Sequence, residues 1–312
     1  MRSQLLLQQR GRFLLKLLSL YDTIRVAMKY TPEILDGVHA TLFEITKEIA
    51  RVCRLLDIRA FAIGGTAIGA HFWKGIIPWD DDVDLGMLRE EYTRFLREAP
   101  VLLGEGFVLQ EFATEPDTPF YWAKVMKRDT LFLEEGMEHF DIHHGMFVDI
   151  FPFDRIPNNR TLERFHRAEC AWFISAFSLY PYWQKRREIP RSESLYYRKT
   201  LLSRAVLGVL YRTVSRKWLY DKMTKELGWF NGDDSCRRVN VVRMPKDMIE
   251  RAWLEVPKMM PFGEGEIAVP DHLEEYLIGH YPSLAKLPPE EERINHAPAK
   301  LSFDTKNGPV YE

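Results

Sequence analysis

Four carboxylates crowd into five positions of this sequence, in Ile76-Ile77-Pro78-Trp79-Asp80-Asp81-Asp82-Val83-Asp84-Leu85-Gly86-Met87. Apolar residues flank them on both sides. If Val83–Met87 is a strand, its side chains alternate, so Asp82 and Asp84 share one face while Val83 and Leu85 enter the core. Two carboxylates about 7 Å apart repel by about 2 kcal/mol at an effective dielectric of 20. A divalent cation turns that repulsion into attraction, and carboxylate oxygens together with phosphate oxygens suit magnesium. A solvated acidic loop is the competing reading for a bare D-x-D, but such a loop needs no hydrophobic strand behind it. Asp80 and Asp81 stay open between supporting, capping and exposed roles. A lone Asp149 lies in the apolar run Met146-Phe147-Val148-Asp149-Ile150-Phe151-Pro152. Burying it without a partner is costly, so it needs a cation or a hydrogen-bonding partner. A salt bridge to an arginine is the alternative.

Upstream, Ile63-Gly64-Gly65-Thr66-Ala67-Ile68-Gly69 places glycines directly after a short strand. Glycine lets backbone N–H groups approach a phosphate, and Thr66 adds a hydroxyl. A plain tight turn is the equal alternative. The segment is neither a Walker A loop nor a G-x-G-x-x-G fingerprint. The histidines assemble into no obvious metal site, and His143-His144 reads as a polar turn. No serine–histidine or cysteine–histidine pairing is legible from spacing.

The elements that must position these residues follow from periodicity. Leu35, Val38, Leu42, Ile45, Ile49, Val52 and Leu56 recur every three or four residues, which predicts a helix from Pro32 to Asp57 capped by Thr31. Arg59–Ile63 reads as a strand, Arg89–Ala99 as a helix. Further strands are expected at Val83–Met87, Phe107–Phe112, Tyr121–Lys127, Leu131–Glu134 and Met146–Ile150. Residues 161–230 look mainly helical, and the last third is irregular and proline-dotted. The expected fold class is mixed α/β, with a basic amphipathic segment 1–30, a catalytic core 31–160, a helical basic region 161–232 and a C-terminal part 233–312 packed on the core.

Three well-separated cysteines form no C-x-x-C pair and no complete disulfide framework, which favours thiols in a reducing compartment. A cysteine-built zinc site has no ligand spacing to rest on. The net charge of −2 hides segregation: residues 181–225 hold twelve Lys or Arg against three acids. The first twenty residues carry Arg2, Arg10, Arg12 and Lys16 and no acid. That pattern fits a transit segment or an amphipathic helix on a membrane surface. No apolar run reaches the ~20 residues of a spanning helix. Nucleic acid is not an expected partner, because no recognised module accompanies the basic charge.

The P-W-D-D-D-x-D block, the glycines before it and Gly145-Met146-Phe147-Val148-Asp149-Ile150-Phe151-Pro152 closely resemble the LicD family of nucleotidyltransferase-like proteins. The resemblance continues through Val269-Pro270, Glu275-Tyr276-Leu277, Tyr281 and Leu287-Pro288-Pro289-Glu290. It implies a nucleotidyltransferase-like small mixed sheet and a phosphotransferase that moves phosphocholine, or a related alcohol or polyol phosphate, from a CDP-activated alcohol donor. The acceptor it implies is a glycan or lipid-linked glycan, such as lipopolysaccharide or teichoic acid. Carried over by position, Asp82, Asp84 and Asp149 are the metal carboxylates for Mg2+ (or Mn2+). Gly65 and Thr66 line the donor phosphates, and Lys124 contacts substrate. The family's usual basic pair before the K-G is replaced here by Phe72 and Trp73, so if that pair binds phosphate either Lys74 or His71 substitutes, or the substrate of this chain differs. Two metal ions ~3.5–4 Å apart would bridge the aspartates and the donor pyrophosphate, and Trp73, Trp79 and Trp122 are candidates for a head-group pocket. Nucleotidyl transfer from an NTP and a catalytically silent membrane-surface or glycan-binding protein are the rival readings. The expected location is cytoplasmic, with association to a membrane surface.

Overall fold

The computed structural model describes residues 30–189, 207–241, 248–280 and 295–312, with positions 201 and 293. Residues 1–29 of the basic segment expected at 1–30, Tyr281 and the block Leu287–Glu290 lie outside the described residues. The first helix, α1 (Pro32–Leu56), follows the predicted periodicity: Val38, Leu42, Ile45, Ile49, Val52 and Leu56 are its buried face. Thr31 caps it, its hydroxyl accepting from the Ile34 N–H at 3.4 Å.

Then come β1 (Phe61–Ala62), α2 (Gly64–Trp73), β2 (Asp84–Leu88), α3 (Arg89–Glu98), β3 (Phe107–Gln110), β4 (Ala123–Lys127), β5 (Leu131–Leu133) and β6 (Phe147–Ile156). The helical region holds α4 (Arg160–Gln184), α5 (Leu210–Thr213) and α6 (Arg216–Leu227). The last third contributes β7 (Arg238–Asn240), β8 (Met248–Glu250), β9 (Lys258–Phe262), β10 (Gly265–Val269), α7 (Leu273–His280) and β11 (Lys300–Ser302). Of these strands β7, β8 and β11 span three residues each, too short for alternation to announce them. The architecture is mixed α/β.

The central sheet runs β1-β2-β6-β4-β3, and β7 pairs with the far end of β6 and with β8. Only β2 and β6 are parallel in it. A parallel pair needs a long crossover, and here the chain from α3 through β5 supplies it. β6 is the spine of the sheet, buried at all positions after Phe147. It extends past the predicted Ile150 and through Pro152. That proline falls between the last residue paired with β4 (Ile150) and the first paired with β7 (Asp154). One edge of the strand is open there, so the missing N–H breaks no ladder. α1 packs across β4 and β6.

At Gly86 in β2 a Cβ would stand 2.6 Å from the rings of both Phe61 and Phe153. Those rings meet edge to face at 5.1 Å directly over the glycine. Below them Arg89 forms a bidentate pair with the buried Asp154, at 2.8 and 2.6 Å. Asn231 donates to the same carboxylate at 2.8 Å, tying the end of the helical region to β6.

Candidate active site

The D-x-D block leads directly into β2. Val83 and Leu85 are buried, at 1 % and 2 % exposure, whereas Asp82 and Asp84 are half-buried on the other side. This is the alternation a strand imposes. The parallel register sets Asp84 opposite Asp149 of β6. Across the next pairings Asp149 is opposite Lys124, and Lys124 opposite Gln110. One transverse row of the sheet therefore carries Asp84, Asp149 and Lys124 on neighbouring strands.

Asp149 and Lys124 are held from the side. Trp122 Nε1 donates to Asp149 Oδ1 at 2.7 Å. Lys124 is fully buried, with Nζ 3.3 Å from the Phe147 ring centroid and 4.0 Å from that of Phe120. Its ammonium lies 3.0 Å from Glu134 Oε2 and 3.7 Å from Asp149 Oδ1. Stripping water from Asp149 pushes its carboxyl up to about 6 despite the pull of Lys124, and the charges of Glu134 and Asp82 push the same way. A carboxylate placed so is a serviceable proton acceptor near neutral pH.

A second cluster adjoins the row. One ligand atom each from Asp80, Asp82 and His296 lie within 4.8 Å of one another. His296 Nδ1 is 3.6 Å from Asp82 Oδ2. Burial, reinforced by Asp82 and Asp81, pushes the Asp80 carboxyl up to about 8. Burial also raises Asp82, against the pull of His296. Asp81 has a different duty. It is 3 % exposed and accepts from the Tyr30 hydroxyl at 2.7 Å and the His296 N–H at 2.8 Å. Asp81 thereby latches the segment that delivers His296 to the one that carries Asp80 and Asp82. His39 Nε2 lies 2.8 Å from the Asp80 carbonyl oxygen and steadies the same turn.

The sequence offered no obvious metal site among the histidines, whereas the fold brings His296 to Asp80 and Asp82 in a group that could hold a cation. The contact spans more than two hundred residues, so no spacing rule finds it. Asp80 was legible only as one of four carboxylates, and Trp122, expected against a head group, uses its indole N–H on Asp149.

The glycines after β1 open a helix rather than a turn. Gly64 takes φ +52, which glycine adopts without strain, and α2 starts at that residue. Of its first-turn amides, that of Gly64 donates to the Tyr276 hydroxyl at 3.1 Å, and Gly65 and Thr66 follow it at the helix N-terminus. Gly65 faces the cluster: a Cβ there would sit 3.0 Å from Asp80 Oδ2. The Thr66 hydroxyl accepts from the Asp84 N–H at 2.8 Å, so Thr66 joins α2 to the D-x-D strand. Lys74 ends α2 as an exposed residue at φ +54. At 1.5 Å per residue it stands about 13 Å along the axis from Gly65. His143 pairs with Glu115 through Nδ1, near β3. Trp73 and Trp79 meet edge to face at 5.5 Å, and Arg293 lies over the Trp79 ring at 4.6 Å.

Residues 57–186, which contain the whole transverse row and both carboxylates of the cluster, Asp80 and Asp82, match the LicD/FKTN/FKRP nucleotidyltransferase domain. That stretch is similar to the LicD family. The chain is also similar to "Lipopolysaccharide cholinephosphotransferase LicD" of Haemophilus influenzae, at 25% identity over 285 residues, 88% of this chain and 96% of that one. A shorter match joins it to "Uncharacterized protein RT0683" of Rickettsia typhi, at 29% identity over 80 residues, 26% of each chain. The stretch similar to the LicD family ends before His296, so the segment latched by Asp81 adds to the site from outside it.

The raised carboxyl of Asp80 has a stability consequence. The folded state keeps a proton that the unfolded chain releases near 3.8, so stability falls as pH rises from there through about 8. The metal-free protein is therefore expected to melt lower at pH 8 than at pH 5.5, and Asp80→Asn to flatten that slope. Added Mg2+ should raise the melting temperature at pH 8 more for the parent than for the variant. Identical pH slopes in scanning calorimetry would contradict this account of Asp80.

Proposed function

We propose that the protein transfers phosphocholine, or a closely related alcohol phosphate, from a CDP-activated donor to a hydroxyl of a glycan such as lipopolysaccharide. The observation that carries the reading is the row Asp84–Asp149–Lys124, within the stretch similar to the LicD family, beside the Asp80–Asp82–His296 cluster. The similarity to a lipopolysaccharide cholinephosphotransferase supports the choice of transferred group and acceptor.

The donor set fits a hard divalent cation: clustered carboxylates and an imidazole, with burial raising the carboxyls of both Asp80 and Asp82. Asp80, Asp82 and His296 would hold the ion, with Asp84 and Asp149 beside it. When bound, Mg2+ or Mn2+ would screen the donor pyrophosphate and polarise the phosphoryl oxygens under attack. The protein's own groups do the rest. The first turn of α2, with Gly65 open toward the cluster, receives a phosphate through backbone N–H groups. Lys124, immobilised between two rings, supplies positive charge next to Asp149. Trp122 fixes the Asp149 carboxylate, which takes the proton of the acceptor hydroxyl. The hydroxyl oxygen then attacks the phosphorus bearing the head group, the bond to the bridging oxygen breaks, and CMP leaves.

The test incubates the protein with Mg2+, lipopolysaccharide from which phosphocholine is absent, and CDP-choline, CDP-ribitol or a nucleoside triphosphate. CMP release from CDP-choline, dependent on the acceptor, is expected. Pyrophosphate release from a triphosphate, with no CMP from either CDP-alcohol, would replace the reading by nucleotidyl transfer.

A further inference from the structure

The strongly exposed tryptophans of the described residues, Trp172, Trp218 and Trp229, all belong to the helical region. On α6 and the turn after it, Trp218, Lys222, Lys225 and Trp229 follow one another at steps of four, three and four, which is one stripe of a helix. The opposite face of α6, with Leu219, Met223 and Leu227, is buried. Trp218 and Trp229 are 43 % and 60 % exposed, and Lys225 leans over the Trp229 ring at 5.9 Å.

Just before α6 lies a cavity of about 400 Å³, lined by Trp183, Arg186, Arg187, Gly208, Val209 and Arg212. Arg186 is pinned there, 4.3 Å over the Trp183 ring and donating to the Trp183 carbonyl at 2.6 Å. Val209, at the same cavity, is 76 % exposed. Among the described residues neither Arg187 nor Arg212 makes an ion pair. Arg187 and Arg212 share one small cavity and repel unless an anion sits between them, and their planar forks match phosphate oxygens.

We infer that this face lies on an anionic phospholipid surface, with α6 in the headgroup layer and a lipid phosphate seated between Arg187 and Arg212. Tryptophan rings at the boundary of water and hydrocarbon, interleaved with lysines, are the composition such a surface selects. Charge complementarity chooses the occupant: a protein partner of ordinary composition needs no open guanidinium cavity beside the aromatic stripe. The inference goes beyond the proposed reaction and concerns how the enzyme meets a membrane-borne acceptor.

Vesicle co-sedimentation of the full chain, without metal or donor, tests it separately from catalysis. The protein is expected to bind vesicles containing phosphatidylglycerol, weakly or not at all those of phosphatidylcholine alone, and to be released by salt. Arg187→Glu with Arg212→Glu should lower the partition coefficient at least about tenfold, and Trp218→Ser with Trp229→Ser comparably. Arg187→Lys with Arg212→Lys should keep most of the binding, and circular dichroism monitors folding of each variant. Undiminished binding in both loss variants would overturn the inference, since another segment would then carry the attachment. So would equal binding to neutral vesicles. An Arg-dependent rise in melting temperature with about 1 mM inorganic phosphate, without vesicle binding, would assign the cavity to a free phosphate instead.

Discussion

Asp149→Asn is expected to lower phosphocholine turnover by roughly a thousandfold at saturating Mg2+ while leaving the melting temperature unchanged or slightly higher. The amide is isosteric and its oxygen still accepts from Trp122 Nε1, so the strand register and the indole contact survive. What disappears is a charge held without water between Lys124 and Asp82. Its loss removes repulsion within the cluster, which is why stability need not fall. Lys124 keeps Glu134 as its partner at 3.0 Å and is not stranded. Asp84→Asn should behave alike, because Asp84 is the register partner of Asp149. Asp82→Asn should as well, and should in addition weaken metal binding by titration calorimetry. Near-normal kcat in any two of the three would dismantle the site as described.

Asp154→Ala is expected to destabilise the protein by about 3–5 kcal/mol, the cost of leaving one member of a buried pair uncompensated. For a chain of this size that is roughly 10 °C in Tm. The reason lies in what remains: Arg89 keeps a buried guanidinium with nothing opposite, and Asn231 loses its acceptor. Replacing both partners by apolar residues, Arg89→Met with Asp154→Leu, should recover much of the loss, since an apolar pair leaves no orphaned charge. Thermal melting decides between these. A change of less than about 1 kcal/mol in the single variant would mean that water reaches Arg89. No direct effect on chemistry is expected from Asp154, which faces away from the row of Asp149.

The parts of the molecule that local chemistry controls were legible in the sequence. The α1 face, the α3 boundaries and the alternation through Asp82, Val83, Asp84 and Leu85 depend on neighbours a few residues away, and a period of 3.6 or 2 records them. Asp149 stood out because a lone carboxylate in an apolar strand must have a partner. The partners themselves were not legible. Trp122 reaches Asp149 across an antiparallel pairing, and the parallel register of β2 and β6 depends on the whole crossover between them. His296 depends on the Asp81 latch, a side chain binding a backbone N–H more than two hundred residues away. Lys124 entered through family resemblance alone, since a lysine in a strand ordinarily faces solvent. Gly64-Gly65 misleads for a local reason: one residue at positive φ both ends a strand and starts a helix, and composition cannot separate that from a turn.

The strand β6 works as a ruler. Asp149 and Asp154 are five positions apart, so they project from opposite faces, one into the reactive row and the other into the pair with Arg89. Side chains between them can be exchanged one at a time, subject to packing. Length cannot: adding or removing one residue among 150–153 would turn one of the two aspartates to the wrong side of the sheet. Diverging lineages and designed libraries should therefore vary this segment by substitution and never by insertion or deletion. The surrounding loops are the place for any change in chain length.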